Sequence, residues 1–314
     1  MSDRVRVGFV GLGIIARSHF EVLAARPEVV AEFAVDPKVT EPPAFRGTTP
    51  AHYRDLAEAL GAHQPDLIVI ATPTQTHEDL TTQALTLSSA RVLVEKPLVH
   101  DLAALARLRE LDGKADVRGR VFTAHHFAFA PEVRWAAEQI ARHPEWGPIT
   151  RVTSAFYDPY ILRGEQAFAS YVSSWVDSGV NQLSMLARFV EPASLTSLRQ
   201  MDGGASAWAT CEYRSRGRTG LASLRSSWLT GESSKGTTFT LGETDVEVVI
   251  DHTANTGFAA RAGTLLAAYG HDGRTPRKTA RHRPLYESLL SDAPDPVLGF
   301  DTTVTITELH HWRP

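Results

Sequence analysis

The chain has 314 residues, 43% of them hydrophobic and 22% charged, with a formal net charge of −4 and a single cysteine. That length predicts about two domains with full cores, and the slightly acidic balance argues against a nucleic-acid or anionic-membrane surface. Cys211 alone makes neither an intrachain disulfide nor a cysteine-rich metal site, and no uncharged run approaches the roughly 18 residues that cross a bilayer.

The first 125 residues alternate strand-like and helix-like segments, the pattern of an open parallel sheet. Val5–Val10 reads as a buried strand, and Met1-Ser2-Asp3-Arg4 leads straight into it, which predicts no secretory signal and a cytoplasmic protein. Gly11-Leu12-Gly13-Ile14-Ile15-Ala16 follows, and a helical pattern runs on from Ala16 to Ala25. Strand, glycine turn and helix in that order are the setting of a dinucleotide fingerprint. Gly11 permits the tight turn, Gly13 lets backbone approach a pyrophosphate, and Ala16 lets the helix lie close on the strand. The first-turn N–H groups, with Ile14 and Ile15, would meet the phosphates.

Val30–Val35 is the second strand, and Asp36 ends it where a carboxylate can accept from both adenosine ribose hydroxyls. A 2′-phosphate there meets a like charge, so NAD is favoured, although Lys38 and Arg46 lie near enough to keep NADP open. The breaker-rich stretch 41–50 is a loop, and Tyr53–Leu60 is helical. Strand Asp66–Ala71 runs into Thr72-Pro73, with His77 beyond, before helix Glu78–Thr86. Strand Arg91–Val94 runs into Glu95-Lys96-Pro97, before helix Leu102–Leu111. Prolines there turn the chain at the carboxyl edge of the sheet, where ligands bind. Thr72, Pro73, His77, Glu95 and Lys96 are therefore candidate cofactor-site residues. Lys96, held beside Glu95, is the candidate to pass a proton or hydrogen-bond a reacting oxygen. Val121–Ala124 is the last strand of this domain.

A helix runs from Pro131 to about Ala141, and from Ile149 to about Ile250 the character changes. Alternating runs at Thr150–Phe156, Ala207–Tyr213, Gly220–Trp228 and Thr237–Leu241 predict a mostly antiparallel sheet, interrupted by a helix over Asp177–Phe189. Thr302–Trp312 is a terminal helix. The histidines lack metal-ligand spacing and no G-x-S-x-G elbow occurs, so neither a metal centre nor a serine hydrolase is expected.

Taken together, Gly11–Ala16, Glu95-Lys96-Pro97 and Ser174-Trp175-Val176-Asp177-Ser178-Gly179-Val180-Asn181 resemble the glucose-fructose oxidoreductase/inositol dehydrogenase/MocA-like family. The resemblance implies an α/β protein. Residues 1–125 would be a Rossmann NAD(P)-binding domain, and 126–314 an α/β substrate domain with a large open sheet. The terminal helix, about 302–312, would pack back on the first domain, and the sheet would form a homodimer or homotetramer. It also implies hydride transfer between NAD(P) and a carbinol carbon of a small-molecule sugar or polyol, with Lys96 and Asp177 catalytic. The family commonly has a histidine where this chain has Asn181. Asparagine hydrogen-bonds a hydroxyl but takes no proton at neutral pH. Asp177 to Ser184 is similar to the same stretch in aldose 1-dehydrogenases acting on L-arabinose and D-galactose, where Asp and Asn contact the sugar around C1. That points to oxidation of an aldose to its lactone.

The same subgroup implies His126 as a sugar ligand, with one of His125 and His126 free to pack in the core. Trp175 is a candidate stacking wall or a core residue. The subgroup's Glu and His before the aspartate have no clear match, and Asp158, Tyr160 or Glu165 is a candidate to stand in. Two rivals stay open: an NADPH-dependent keto-sugar or imine reductase of the same family, and a non-catalytic dinucleotide-binding sensor.

Overall fold

The apolar runs of the first third are the strands of one sheet. The computed structural model describes residues 4–164, 172–242 and 245–312. Strands β1 (Val5–Val10), β2 (Val29–Val35), β3 (Ala51–Tyr53), β4 (Leu67–Ile70), β5 (Arg91–Val94) and β6 (Val121–Thr123) lie in the order β3-β2-β1-β4-β5-β6. Every pairing in it is parallel. A parallel sheet covered on both faces buries successive side chains, which is why β4 is buried at every position. Helices α1 (Ile14–Ala24), α2 (Leu56–Ala62), α3 (His77–Leu87) and α4 (Leu102–Asp112) connect the strands. Asp55 caps α2 by accepting from the Ala57 and Glu58 N–H groups, and Asp101 caps α4 by accepting from Ala104. The strand order reverses between β1 and β4, the place where such sheets open a crevice for ligands.

The chain divides into two units. The first takes in residues up to His125 together with His282–Thr307, and the second takes in His126–Arg281 with the residues from Glu308 on. The division runs through two late helices, α7 (Arg277–Leu289) and α8 (Phe300–His310). Phe300 and Val304 of α8 join Phe33, Ile70, Val94 and Leu108 in the core of the first unit.

In the second unit, α5 (Pro131–Arg142) starts with proline at its first position. Strands β7 (Ile149–Tyr157), β8 (Glu191–Met201), β9 (Ser206–Ser215), β10 (Arg218–Ser227), β11 (Ser234–Leu241), β12 (Val246–Asp251), β13 (Thr256–Arg261) and β14 (Thr264–Gly270) form one sheet. Their order is β14-β13-β12-β11-β7-β10-β9-β8, antiparallel throughout except where β7 pairs with β10. Burial alternates along the strands. In β9, Ala207, Ala209, Cys211 and Tyr213 point into the core, while Trp208 between them is exposed. Burial pushes the Cys211 thiol up to about 12, which makes it inert packing rather than a nucleophile.

Local differences from expectation have local causes. The stretch beginning at Tyr53, expected to be helical, splits into β3 and the Asp55-capped α2. The helix expected over Asp177–Phe189 begins as a wide π-type turn at Trp175–Gly179 and continues as α6 (Val180–Leu186). No helix among the described residues is long and apolar enough to cross a membrane.

Candidate functional site

The glycine loop is built for two different reasons. Gly11 has φ +86°, and its N–H donates to Val35 O at 2.8 Å. A Cβ on it would lie 2.7 Å from Ala71 O and 2.8 Å from Thr72 Cγ2, so only glycine fits. Gly13 has an ordinary φ of −71° and caps α1 without a side chain. A Cβ added there would meet nothing within 4 Å. Open space in front of uncapped first-turn N–H groups suits a pyrophosphate. Ile14 is 81% exposed at the first helical position, Ile15 is half-buried, and Ala16 is buried on the helix–sheet contact.

Asp36 closes the rim of this cradle. Its Oδ2 accepts from Leu12 N at 2.9 Å, and its Oδ1 accepts from Lys38 N at 2.8 Å and Val39 N at 3.3 Å. Arg46 is turned elsewhere, with Nη1 donating to the carbonyls of Arg26, Pro27 and Val29. Anchored carboxylate, open cradle and free helix end together fit the ribose and pyrophosphate of a dinucleotide.

Behind the next two strand ends lie two buried groups, His77 and Glu95, beneath a more exposed turn. Thr76 Oγ1 donates to Thr72 Oγ1 and Pro73 O, 2.8 Å from each. His77, on the floor, lies 2.9 Å by Nε2 from Thr72 O and 2.9 Å by Nδ1 from Pro97 O, so it ties the two strand-end turns together. Burial depresses its pKa. The neutral ring has one N–H, so one of these contacts is a hydrogen bond and the other a close approach to a lone pair. His77 therefore shapes the Thr72 and Pro97 turns from beneath.

Glu95 is buried, accepts from Lys96 N at 3.2 Å by Oε2, and meets His19 Nε2 at 2.9 Å by Oε1. His19 Nδ1 in turn lies 2.7 Å from Tyr286 Oη, a phenol that burial pushes well above its usual pKa. Lys96 is half-buried, on a cis bond to Pro97. The ligand atoms of His19, Glu95 and His282 all lie within 4.8 Å of one another. Residues so far apart in the chain have no spacing signature, so sequence reasoning missed this grouping, and Tyr286 with it.

His125 is the core member of the histidine pair. Thr303 Oγ1 donates to Gly299 O at 3.0 Å, which leaves its oxygen to accept from His125 Nε2 at 3.1 Å. Burial, reinforced by the Lys96 charge, holds the imidazole down at about 3, against the pull of Glu95. The unfolded chain takes up a proton below pH 6.5 that the folded state refuses, so this contribution is complete above that pH and is lost as pH falls towards 3. Unfolding free energy should drop by about 2 kcal/mol between pH 6.5 and 5 from this group. Chemical denaturation across that range checks it, with His125→Asn expected to flatten the slope.

In the second unit Asp177 and Asn181 are both buried, and Asn181 Nδ2 donates to Asp177 O at 3.0 Å. Trp175, read as either a stacking wall or a core residue, is 1% exposed. Its Nε1 donates to His310 O at 3.0 Å, and a Cβ on Gly179 would lie 2.6 Å from its ring. Trp175 is a packing residue, and it is the reason for Gly179. His126 is half-buried, its ring centroid 5.1 Å from that of Phe127. Asp158 is paired with Lys235 Nζ at 2.8 Å, and Glu165 lies outside the described residues. A buried polar chain was also missed. Gln182 Nε2 donates to Ser154 Oγ, which meets Thr237 Oγ1, then His252 Nε2, and His252 Nδ1 meets Glu132 Oε1 at 2.9 Å.

Residues 5–125 match the GFO_IDH_MocA family, described as "Oxidoreductase family, NAD-binding Rossmann fold". The match takes in the glycine cradle and all six strands of the first sheet. The inositol 2-dehydrogenase of Corynebacterium glutamicum (strain R) is 31% identical over 123 residues, which is 37% of this chain and 35% of that protein. The matched stretch thus spans about a third of the curated relative. Over the whole fold, an oxidoreductase structure from Pseudomonas syringae is similar with a TM-score of 0.78 at 19% identity, covering 99% of this chain and 95% of that one. The structure of GenD2 from gentamicin A biosynthesis in complex with NAD is similar with a TM-score of 0.72 at 23% identity, covering 99% and 93%. The parallel-sheet domain and the large, mostly antiparallel second sheet are therefore a fold shared with those structures.

Proposed function

We propose that the protein is an NAD-dependent sugar dehydrogenase that oxidises an aldose at C1 to its lactone. The observation that carries this reading is Glu95-Lys96-Pro97 at the carboxyl end of β5, in a GFO/IDH/MocA-type domain whose glycine cradle stands at the same sheet edge. The name of the inositol dehydrogenase relative supports a carbinol substrate. When bound, NAD supplies the hydride acceptor. The cradle of Gly11, Gly13, Ile14 and Ile15 holds its pyrophosphate, Asp36 its ribose, and Thr72 and Pro73 line the neighbouring strand end.

Lys96 hydrogen-bonds the reacting hydroxyl and, in its amine form rather than as the resting ammonium, takes the hydroxyl proton as the hydride leaves C1. Asp177 accepts from a sugar hydroxyl to position it. Asn181 donates one of its two amide hydrogens to Asp177 O, which leaves the other and Oδ1 for a neighbouring hydroxyl. A hemiacetal hydroxyl is more acidic than an ordinary alcohol, so C1 oxidation suits a site with asparagine in place of histidine. His126 serves as a further sugar ligand. The exposed sheet face with Trp208, Leu221 and Phe258 pairs with a second copy of the chain.

The carboxylate at Asp36, fixed by three N–H groups while Arg46 is committed elsewhere, favours NAD over NADP. Cofactor reduction on a panel of aldoses and polyols should show kcat/KM at least about tenfold higher with NAD, and Asp36→Ala should narrow the gap. Turnover only as NADPH-driven reduction would favour the reductase. Tight NAD binding with no turnover would favour the sensor.

A further inference from the structure

Lys235 starts β11 opposite Phe156 in the β7 register. Its Nζ lies 2.8 Å from Asp158 Oδ2, with 20% of the side chain exposed. The ammonium stands 5.9 Å from the Phe127 ring centroid and 5.8 Å from that of Phe156. Asp158 is locked in place, since its N–H donates to Ser227 O at 2.9 Å and its Oδ1 accepts from Ser233 Oγ at 3.2 Å. Oδ1 is thus hydrogen-bonded within the protein, and Oδ2 meets the Lys235 ammonium as an ion pair outside hydrogen-bond alignment. The ammonium has three donors, and Asp158 holds it by charge rather than by an aligned hydrogen bond. The rings attract its charge but offer no lone pair.

A partly buried ion pair is poor stabilisation compared with apolar side chains of the same size, so stability alone does not account for it. Its surroundings do. Ser226 Oγ at the end of β10 donates to Ser174 Oγ at 3.0 Å, three positions before Asp177, and Phe127 follows His126. The ends of β7 and β10 and the start of β11 gather Lys235 at the sheet edge that carries the sugar-binding candidates of this unit.

We propose that Lys235 determines substrate specificity by donating to an oxygen of the sugar, and that Asp158 is its positioning residue. This rests on the sugar dehydrogenase reading. The assignment moves Asp158 from sugar ligand to support, and it names a substrate class. Asp158 cancels the ammonium charge, so the site suits uncharged, polyhydroxylated sugars rather than sugar phosphates or uronates.

The test compares Lys235→Met, which keeps the stem and removes the donors, with wild type. Binding of L-arabinose and D-galactose is followed by isothermal titration and turnover by NADH formation. A hydrogen bond from a charged donor predicts a loss of about 10–100-fold in kcat/KM and in sugar affinity, carried by KM. Among singly deoxygenated galactoses, one should be bound equally by wild type and variant, because the partner oxygen is already gone. Asp158→Asn should show a smaller loss on the same sugars. An unchanged sugar affinity in Lys235→Met overturns the proposal. So does a loss that is the same for every deoxy analogue, since that is a folding effect. A wild-type preference for galacturonate or galactose 6-phosphate overturns the neutral class. If wild type binds no sugar by titration, the dehydrogenase reading itself falls, a result distinct from sugar bound equally by both proteins.

Discussion

Lys96→Ala is expected to lower turnover by about 10²–10⁴-fold, the range for a positioned proton-transfer group, while NAD affinity changes by less than about twofold. The separation follows from where the groups stand. The dinucleotide cradle is made by residues 11–15 and Asp36 around β1 and β2, whereas Lys96 follows β5. Glu95 keeps its contact with His19 when the lysine side chain is removed, so the strand end should hold its shape. Arginine should not rescue turnover, because a guanidinium stays charged and cannot take the proton. Stopped-flow and steady-state rates beside fluorescence titration of NADH separate the two quantities. A variant with near wild-type kcat would remove Lys96 from the chemistry.

The two glycines of the loop should fail in opposite ways. Gly11→Ala puts an L side chain at φ +86° and drives its Cβ against the Ala71 carbonyl at 2.7 Å. The left-handed conformation costs about 1–2 kcal/mol and the overlap with backbone a similar amount again. We expect a drop of several degrees in the thermal midpoint, with NAD binding lost alongside. Gly13→Ala meets no neighbour within 4 Å and keeps an allowed φ. Its stability should change by at most about 1 kcal/mol, the scale of a helix-cap change. NAD affinity should nevertheless fall more than about tenfold, because the methyl group takes the space in front of the α1 N–H groups. Thermal melts with calorimetric titration distinguish the pair. A Gly13→Ala protein that binds NAD like wild type would show that the pyrophosphate does not approach there.

The first sheet was legible because its strands are buried on both faces. Leu67–Ile70 and Arg91–Val94 stand out as apolar runs between turn signals, and the motif residues sit at their ends. Within the second sheet, Ala207–Tyr213 and Gly220–Trp228 were readable from alternation. Ala51–Tyr53 was not, being three residues beside a breaker-rich loop. Arg277–Leu289 was also hidden, since it has proline at 284 and buries Arg281 and His282 alongside Leu285 and Tyr286, which erases any apolar stripe. The candidate site divides the same way. Motif residues could be named from order and spacing. The partners that set their environment, His19, Tyr286, Thr303 and Lys235, come from distant parts of the chain. Only the fold brings them together.

The core of the first unit is not closed by the first 125 residues. Phe300 and Val304 arrive from the far end of the chain to complete it. During synthesis from the amino terminus, the first unit therefore waits with an apolar wall uncovered until residues 300–304 have left the ribosome. A fragment ending after β6 would carry every fingerprint glycine and still expose that wall. Exposed apolar surface of that kind is open to non-specific association, so the boundaries of the motif are not the boundaries of a self-sufficient folding piece.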